Sequence, residues 1–284
     1  MPPSHVSFPE SAHDLASWTP ADWQAIITGE AASSAQWMLH SARLGHADAQ
    51  TVLGQWLLNG HGLDRDPVGA LAWFLKAAAQ GHPMGINMAG RCYENGWGAN
   101  ADFVAAANWY RQAAAKGLDA GMYNYANLLA TGQGVKQNPA EALQWYRKAA
   151  DQGHAKSMTK IGFFYEDGRV VAQDSAAAFT WFEGGARGGD FRGQYNYASM
   201  LAARGQMDEA LVWLRKVPLT ATPGYKRLVG EQLLQSPHPA FQAVGQQMLL
   251  ALSSAVAPSQ ATPACAAKTR AEAPATPVRP LTAP

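Results

Sequence analysis

Residues 118–153 read LDAGMYNYANLLATGQGVKQNPAEALQWYRKAADQG, and this stretch holds one complete structural unit. Its first part, Ala120–Thr131, is a good helical run closed by Gly132, a residue suited to the left-handed conformation that ends a helix. A second glycine, Gly134, follows in the link. Asn138 then stands where a side-chain oxygen would cap a new helix, and Pro139 follows at the first helical position, where a missing N–H costs nothing. The second run carries Ala142, the aromatic pair Trp145-Tyr146 and Ala149-Ala150 before it closes at Gly153. The unit is therefore a helix–turn–helix.

Outward from this unit the pattern recurs. Tryptophan stands at Trp37, Trp73, Trp109, Trp145 and Trp181, always 36 residues apart, and Trp213 follows after a shorter step of 32. Gly45, Gly81, Gly117, Gly153 and Gly189 lie eight residues after the first five, and Gly54, Gly90, Ala126, Gly162 and Ala198 lie seventeen after them. The link glycines have counterparts at Gly60, Gly96 and Gly168, with second glycines at Gly62 and Gly98. Asp66, Asp102 and Asp174 occupy the capping position. Self-similarity at this period signals a stacked repeat array. Small alanines and glycines let helices approach, and the tryptophan is expected to fill the space between repeats, so Trp109 is assigned to the inter-repeat core.

The order Ala-x-x-x-Leu-Gly-x-x-Tyr-x-x-Gly-x-Gly-Val, then Asp, Ala, Trp-x-x-Lys-Ala-Ala and Gly-His-x-x-Ala, resembles the Sel-like repeat, a relative of the tetratricopeptide repeat. The resemblance implies an all-α fold, a right-handed α-solenoid of helix–turn–helix repeats with helical caps at both ends. Residues 1–30 form an N-terminal segment and capping helix. The solenoid spans 31–217: a half repeat at 31–45, repeats at 46–81, 82–117, 118–153 and 154–189, and a shortened one at 190–217. A C-terminal helical cap covers 218–256, since an end repeat otherwise exposes its stacking surface. The Ala/Pro-rich segment 257–284 is expected to be disordered. Val170 in place of the second link glycine, and Asn100-Ala101 in place of a charged or proline lead-in to the second helix of repeat 82–117, depart from the pattern.

Composition narrows the function. Of 284 residues 48% are hydrophobic, enough for a sizeable core. Lys and Arg number 22 against 21 Asp and Glu, so no surplus of cations invites nucleic acid. Two distant cysteines, Cys92 and Cys265, make neither a disulfide scaffold nor a thiolate metal site. Neither a signal peptide nor a membrane-spanning run is visible, which sets a cytoplasmic expectation without membrane insertion.

Catalytic readings fail on spacing. His46, His82 and His154 share one repeat position, about a nanometre apart in a helical array, against ligand distances of roughly 2 Å for one ion. The Gly-x-Gly pairs join helices and lack the strand–helix context of a phosphate loop. Glu94 and Glu166 share a position but stand in separate units. Cys92 falls where other units carry Trp56, Leu128, Phe164 and Met200, which makes it a packing residue. No enzyme, metal or cofactor is expected.

One face remains. In the first helix of each unit, positions 11, 15, 18 and 22 after the preceding tryptophan point away from the apolar stripe. In related arrays the first helices line the inner, concave wall. Of the twenty residues at these positions, Arg91, Lys156, Lys160 and Arg192 are cationic and only Asp48 and Asp167 acidic. Asn124, Asn127 and Asn196 offer donors and acceptors for a peptide backbone, and Phe163 adds an apolar surface. The expected function is a non-enzymatic protein–protein interaction adaptor or regulatory scaffold. The eight residues Arg91, Asn124, Asn127, Lys156, Lys160, Phe163, Arg192 and Asn196 would take an acidic segment or C-terminal carboxylate of another protein in the groove. The rivals are an enzyme or small-ligand receptor using the groove as a pocket, and an envelope-associated repeat protein. Cysteine-rich relatives linked to penicillin binding carry a cysteine pair in each repeat, and these units do not.

Overall fold

The computed structural model describes Ser11, Leu15 and residues 18–254, so the expected tail at 257–284 lies outside the described residues. Two compact units divide the chain, residues 1–138 and 139–284. The first holds α1 (Pro20–Ile27), α2 (Ala31–Arg43), α3 (Ala47–Asn59), α4 (Pro67–Ala79), α5 (Pro83–Asn95), α6 (Phe103–Ala115) and α7 (Asp119–Thr131). The second holds α8 (Pro139–Asp151), α9 (Ala155–Asp167), α10 (Ser175–Arg187), α11 (Phe191–Ala203), α12 (Met207–Leu214), α13 (Val217–Thr220), α14 (Pro223–Leu234) and α15 (Pro239–Ser254). The architecture is all-α, in tandem helix–turn–helix repeats of a solenoid.

Capping explains the regular lengths. Helices α2 to α11 each run thirteen residues. Asp66, Asp102 and Asp174 accept amide N–H bonds at the starts of α4, α6 and α10. The helices α3, α5 and α9 start on histidines instead: Nδ1 of His46, His82 and His154 accepts the amides of Ala49, Gly85 and Ser157 at 3.3, 3.1 and 3.3 Å. The repeated Gly-His is therefore a stop followed by a start. Each link is then tied back to the preceding helix. The amides of Asp66, Asp102, Asn138 and Asp174 donate to the carbonyls of Leu57, Tyr93, Leu129 and Tyr165 at 2.8–3.0 Å.

Within a repeat, a ring from the second helix seats against a small residue of the first. A Cβ added at Gly54 would lie 2.6 Å from the Phe74 ring, and one at Gly90 or Gly162 would lie 2.7 Å from the Tyr110 or Phe182 ring. Tyr110 carries a hydroxyl into this core and donates it to Glu94 Oε2 at 2.6 Å, which gives Glu94 a structural role.

This arrangement corrects the expectation for the tryptophans. Phe74, Tyr110, Tyr146 and Phe182 are 0–1% exposed, whereas Trp73, Trp109, Trp145 and Trp181 are half-buried. One residue step turns the side chain by about 100° around the helix, so only one of two adjacent rings can point at the small residue. The tryptophans shield the shoulder of the core, and Lys76 and Lys148 stack over Trp73 and Trp145 at 3.9 and 4.2 Å.

Successive repeats of the first unit meet backbone to backbone. Gly85 and Gly121 pass so close to α4 and α6 that a Cβ would lie 2.6 Å from Ala77 Cβ or Ala113 Cβ. The link glycine Gly98 has φ +77°, and a Cβ there would sit 2.2 Å from the Pro67 carbonyl oxygen. Val170 replaces this glycine in the second unit, and no described non-glycine residue has positive φ, so that link follows another path.

The ends are closed by helices off the 36-residue period. Thr19 and Asp22 form a reciprocal capping box on α1. Trp18 lies 5.0 Å from Trp23 and 5.6 Å from Trp37 between ring centres. In the second unit Leu214, Val217, Val229, Leu233 and Phe241 of α12–α15 share one buried cluster with α10 and α11.

Truncation of Tyr110 to Ala is expected to cost about 3–5 kcal/mol, and truncation of its neighbour Trp109 clearly less. Urea denaturation measures both, and equal losses would return Trp109 to the core. Gly98→Ala should destabilise more than Gly117→Ala, whose φ is +84° but whose Cβ would meet nothing within 4 Å. Gly117→Ala bears only the left-handed cost of about 1–2 kcal/mol.

Candidate functional site

In the first unit the outward face of the first helices belongs to α3, α5 and α7, and its polar groups bond across repeats. His82 Nδ1 accepts the Gly85 amide, so its proton sits on Nε2, which donates to Asp48 Oδ1 at 2.9 Å. Thr51 Oγ1 lies 3.1 Å from the same Nδ1. Asn124 Nδ2 donates to Asn87 Oδ1 at 2.9 Å, joining α7 to α5. Arg91 is half-buried, with its guanidinium carbon 5.3 Å from the Trp97 ring centre and Nη1 3.6 Å from Met88 Sδ. Asn127 is half-buried one turn before Thr131, whose hydroxyl donates to the Asn127 carbonyl at 2.9 Å.

In the second unit α9 and α11 lie side by side. Lys156 is exposed and Lys160 half-buried, one turn apart on α9. Phe163, also half-buried, meets the Phe182 ring edge-on at 5.1 Å and so belongs partly to the core. Arg192 on α11 is half-buried, 4.9 Å from the Phe191 ring centre and 5.6 Å from that of Tyr225. Asn196 is 5% exposed, and its Nδ2 donates to the Arg192 carbonyl at 2.8 Å. Asn124 and Asn196 thus each engage a side-chain N–H inside the chain.

Sequence reasoning passed over Trp97, Phe191 and Tyr225, which hold the two arginines, and the pairing of Asp48 with His82. Trp97 had a signal. It is the only aromatic residue but His61 between the paired link glycines, a place otherwise filled by Gln133. Tyr225 had none, because it lies in the cap, outside the repeat register. Among the described residues no group of three or more His, Cys, Asp or Glu is placed to hold a metal ion. No described helix is long and apolar enough to cross a membrane.

The helix pairs coincide with a known sequence unit. The Sel1 repeat profile matches residues 47–82, 83–118, 119–154 and 155–190, each match opening on the first residue of α3, α5, α7 or α9. The chain belongs to the Sel1 repeat family. Sel1 repeat proteins are generally non-enzymatic protein-interaction scaffolds. No curated protein matches this chain. Among solved structures, a Sel1 repeat protein from Oxalobacter formigenes superposes with a TM-score of 0.70 at 25% identity, over 82% of this chain and 97% of that one. A protective antigen of uropathogenic Escherichia coli, displaying an SLR fold, gives 0.61 at 24% identity, over 83% of this chain and 52% of the antigen. An immunity protein from Pseudomonas aeruginosa gives 0.53 at 18% identity, over 73% of this chain and 80% of that one, a likeness of fold.

The buried Cys92 of this Sel1 repeat chain is chemically quiet. Burial pushes its thiol up to about 12, with Arg91 opposing. The thiolate is the nucleophile, and an exposed thiol ionises near pH 8.5. In a Cys265→Ser background at pH 8, alkylation of Cys92 should therefore run at least about a hundredfold slower than for an exposed thiol. Its rate should climb about tenfold per pH unit past pH 9 while the fold holds, and denaturant should abolish the protection. Rapid labelling of the folded protein would contradict the packing assigned to α5.

Proposed function

We propose that this Sel1 repeat protein is a non-enzymatic adaptor that takes an acidic segment or C-terminal carboxylate of a partner protein on the face made by α9 and α11. The supporting observation is electrostatic. Both acids of the twenty outward positions are engaged with bases: Asp48 with His82, Asp167 with Arg169. Lys156 and Arg192 form no ion pair with any described residue. Each is the second residue of its helix, α9 and α11, where the positive end of the backbone dipole opposes a cation. Such a local cost, left uncompensated inside the chain, is the kind that functional sites retain. Arg91, Asn124 and Asn127 belong to a separate polar surface of the first unit, in which Asn124 bonds across repeats to Asn87.

Titration calorimetry with hexaglutamate at two ionic strengths tests the reading. Lys156→Ala/Lys160→Ala should weaken binding roughly tenfold or more, since charge-assisted contacts contribute about 1.5–3 kcal/mol. The melting temperature should stay unchanged, and affinity should fall as salt rises. Equal affinity for wild type and double variant would reject this face.

A further inference from the structure

We infer that Arg192 is a preorganised anchor for one carboxylate group, and that helix α14 of the C-terminal cap builds that anchor by supplying Tyr225. The inference rests on the basic-face reading above and sharpens it from a diffuse charge to one geometry. Arg192 is half-buried, its guanidinium set beside the rings of Phe191 and Tyr225. No described carboxylate pairs with it. The nearest in sequence, Asp190, is itself buried and gives its Oδ2 to the Gly193 amide at 3.0 Å, capping α11.

The guanidinium is instead held by rings. Phe191 and Tyr225 pack against each other at 4.7 Å, and Arg192 lies over both. Tyr225 is fixed in turn by Tyr195, edge-on at 6.4 Å, and by Thr222, whose hydroxyl accepts the Tyr225 amide at 3.3 Å. A guanidinium drawn to ring faces keeps the N–H fork that can match a carboxylate with two parallel hydrogen bonds. A lysine ammonium has neither plane nor fork. Tyr225 therefore has a positioning role, and a helix of the end cap also completes the binding face.

The test separates geometry from charge. Wild type, Arg192→Lys, Tyr225→Phe, Tyr225→Leu and Lys156→Ala/Lys160→Ala are titrated with three probes. These are hexaglutamate amide, which carries side-chain carboxylates only, hexa-alanine with a free C-terminus, and its amide. Melting curves verify each fold. The anchor requires that Arg192→Lys, with charge conserved, lose roughly tenfold in affinity, that Tyr225→Leu lose similarly, and that Tyr225→Phe bind as wild type. Loss confined to hexaglutamate amide assigns the anchor to a side-chain carboxylate. Loss confined to free hexa-alanine, with its amide not binding, assigns it to a chain terminus. Should Tyr225→Leu fail to fold, Arg192→Lys still decides. Wild-type affinity in Arg192→Lys, with Lys156→Ala/Lys160→Ala weakened, overturns the anchor and keeps the basic face. Absence of binding by every probe overturns both.

Discussion

The repeat depends on one contact, a ring from the second helix seated on a residue too small to obstruct it. Phe74 on Gly54, Tyr110 on Gly90 and Phe182 on Gly162 set the distance between paired helices. Glycine in a helix interior weakens the helix by roughly 1 kcal/mol, and burial of a whole aromatic side chain more than offsets this. Because the ring must enter the notch, the register of the two helices is fixed. The seven-residue link has to match it, which is why its glycines, its capping acid and its return hydrogen bond recur together.

That geometry leaves α3, α5, α7 and α9 one largely free side, whereas on α11 Asn196 and Ser199 are themselves buried. One side takes the ring of its own repeat, and another meets the second helix of the preceding repeat at Gly85 or Gly121. Outward positions are consequently free to vary, and the two units have filled them differently. In the first unit two of them bond to residues of the neighbouring repeat, Asp48 to the helix-capping His82 and Asn124 to the buried Asn87, which ties the repeats together. In the second, cations stand at the starts of α9 and α11, and the acids that might have balanced them are committed elsewhere. The scaffold is common to both, and the surface chemistry is not.

Adjacent residues here have divided labour. Trp109 and Tyr110 are both large, aromatic and periodic, yet only the tyrosine is enclosed. The tryptophans of α4 and α8 carry a lysine across their exposed faces, a contact that screens the indole from water while the amine stays solvated. The histidines show the same economy of means. A side chain that invites a metal or catalytic reading serves as a helix cap, because Nδ1 accepts an amide proton much as an aspartate oxygen does.

Local signals in the sequence determined the helices, their limits and their repetition. A glycine that must turn left-handed, an aspartate that caps and a proline at the first helical position each act within a few residues, and a 36-residue period multiplies them until the architecture is unambiguous. Helical rotation alone placed Met88, Asn196 and Ser199 on an outward face, and packing buries all three. The tertiary structure alone decided which of two neighbouring rings is core, since that depends on the partner helix. It alone decided that Asn124 and Asn196 each engage a side-chain N–H inside the chain and that Asp48 is bound by a histidine from the next repeat. It alone brought Tyr225 to Arg192. These two residues belong to different elements, one periodic and one not, and no local pattern can encode a contact between side chains that only packing brings within reach.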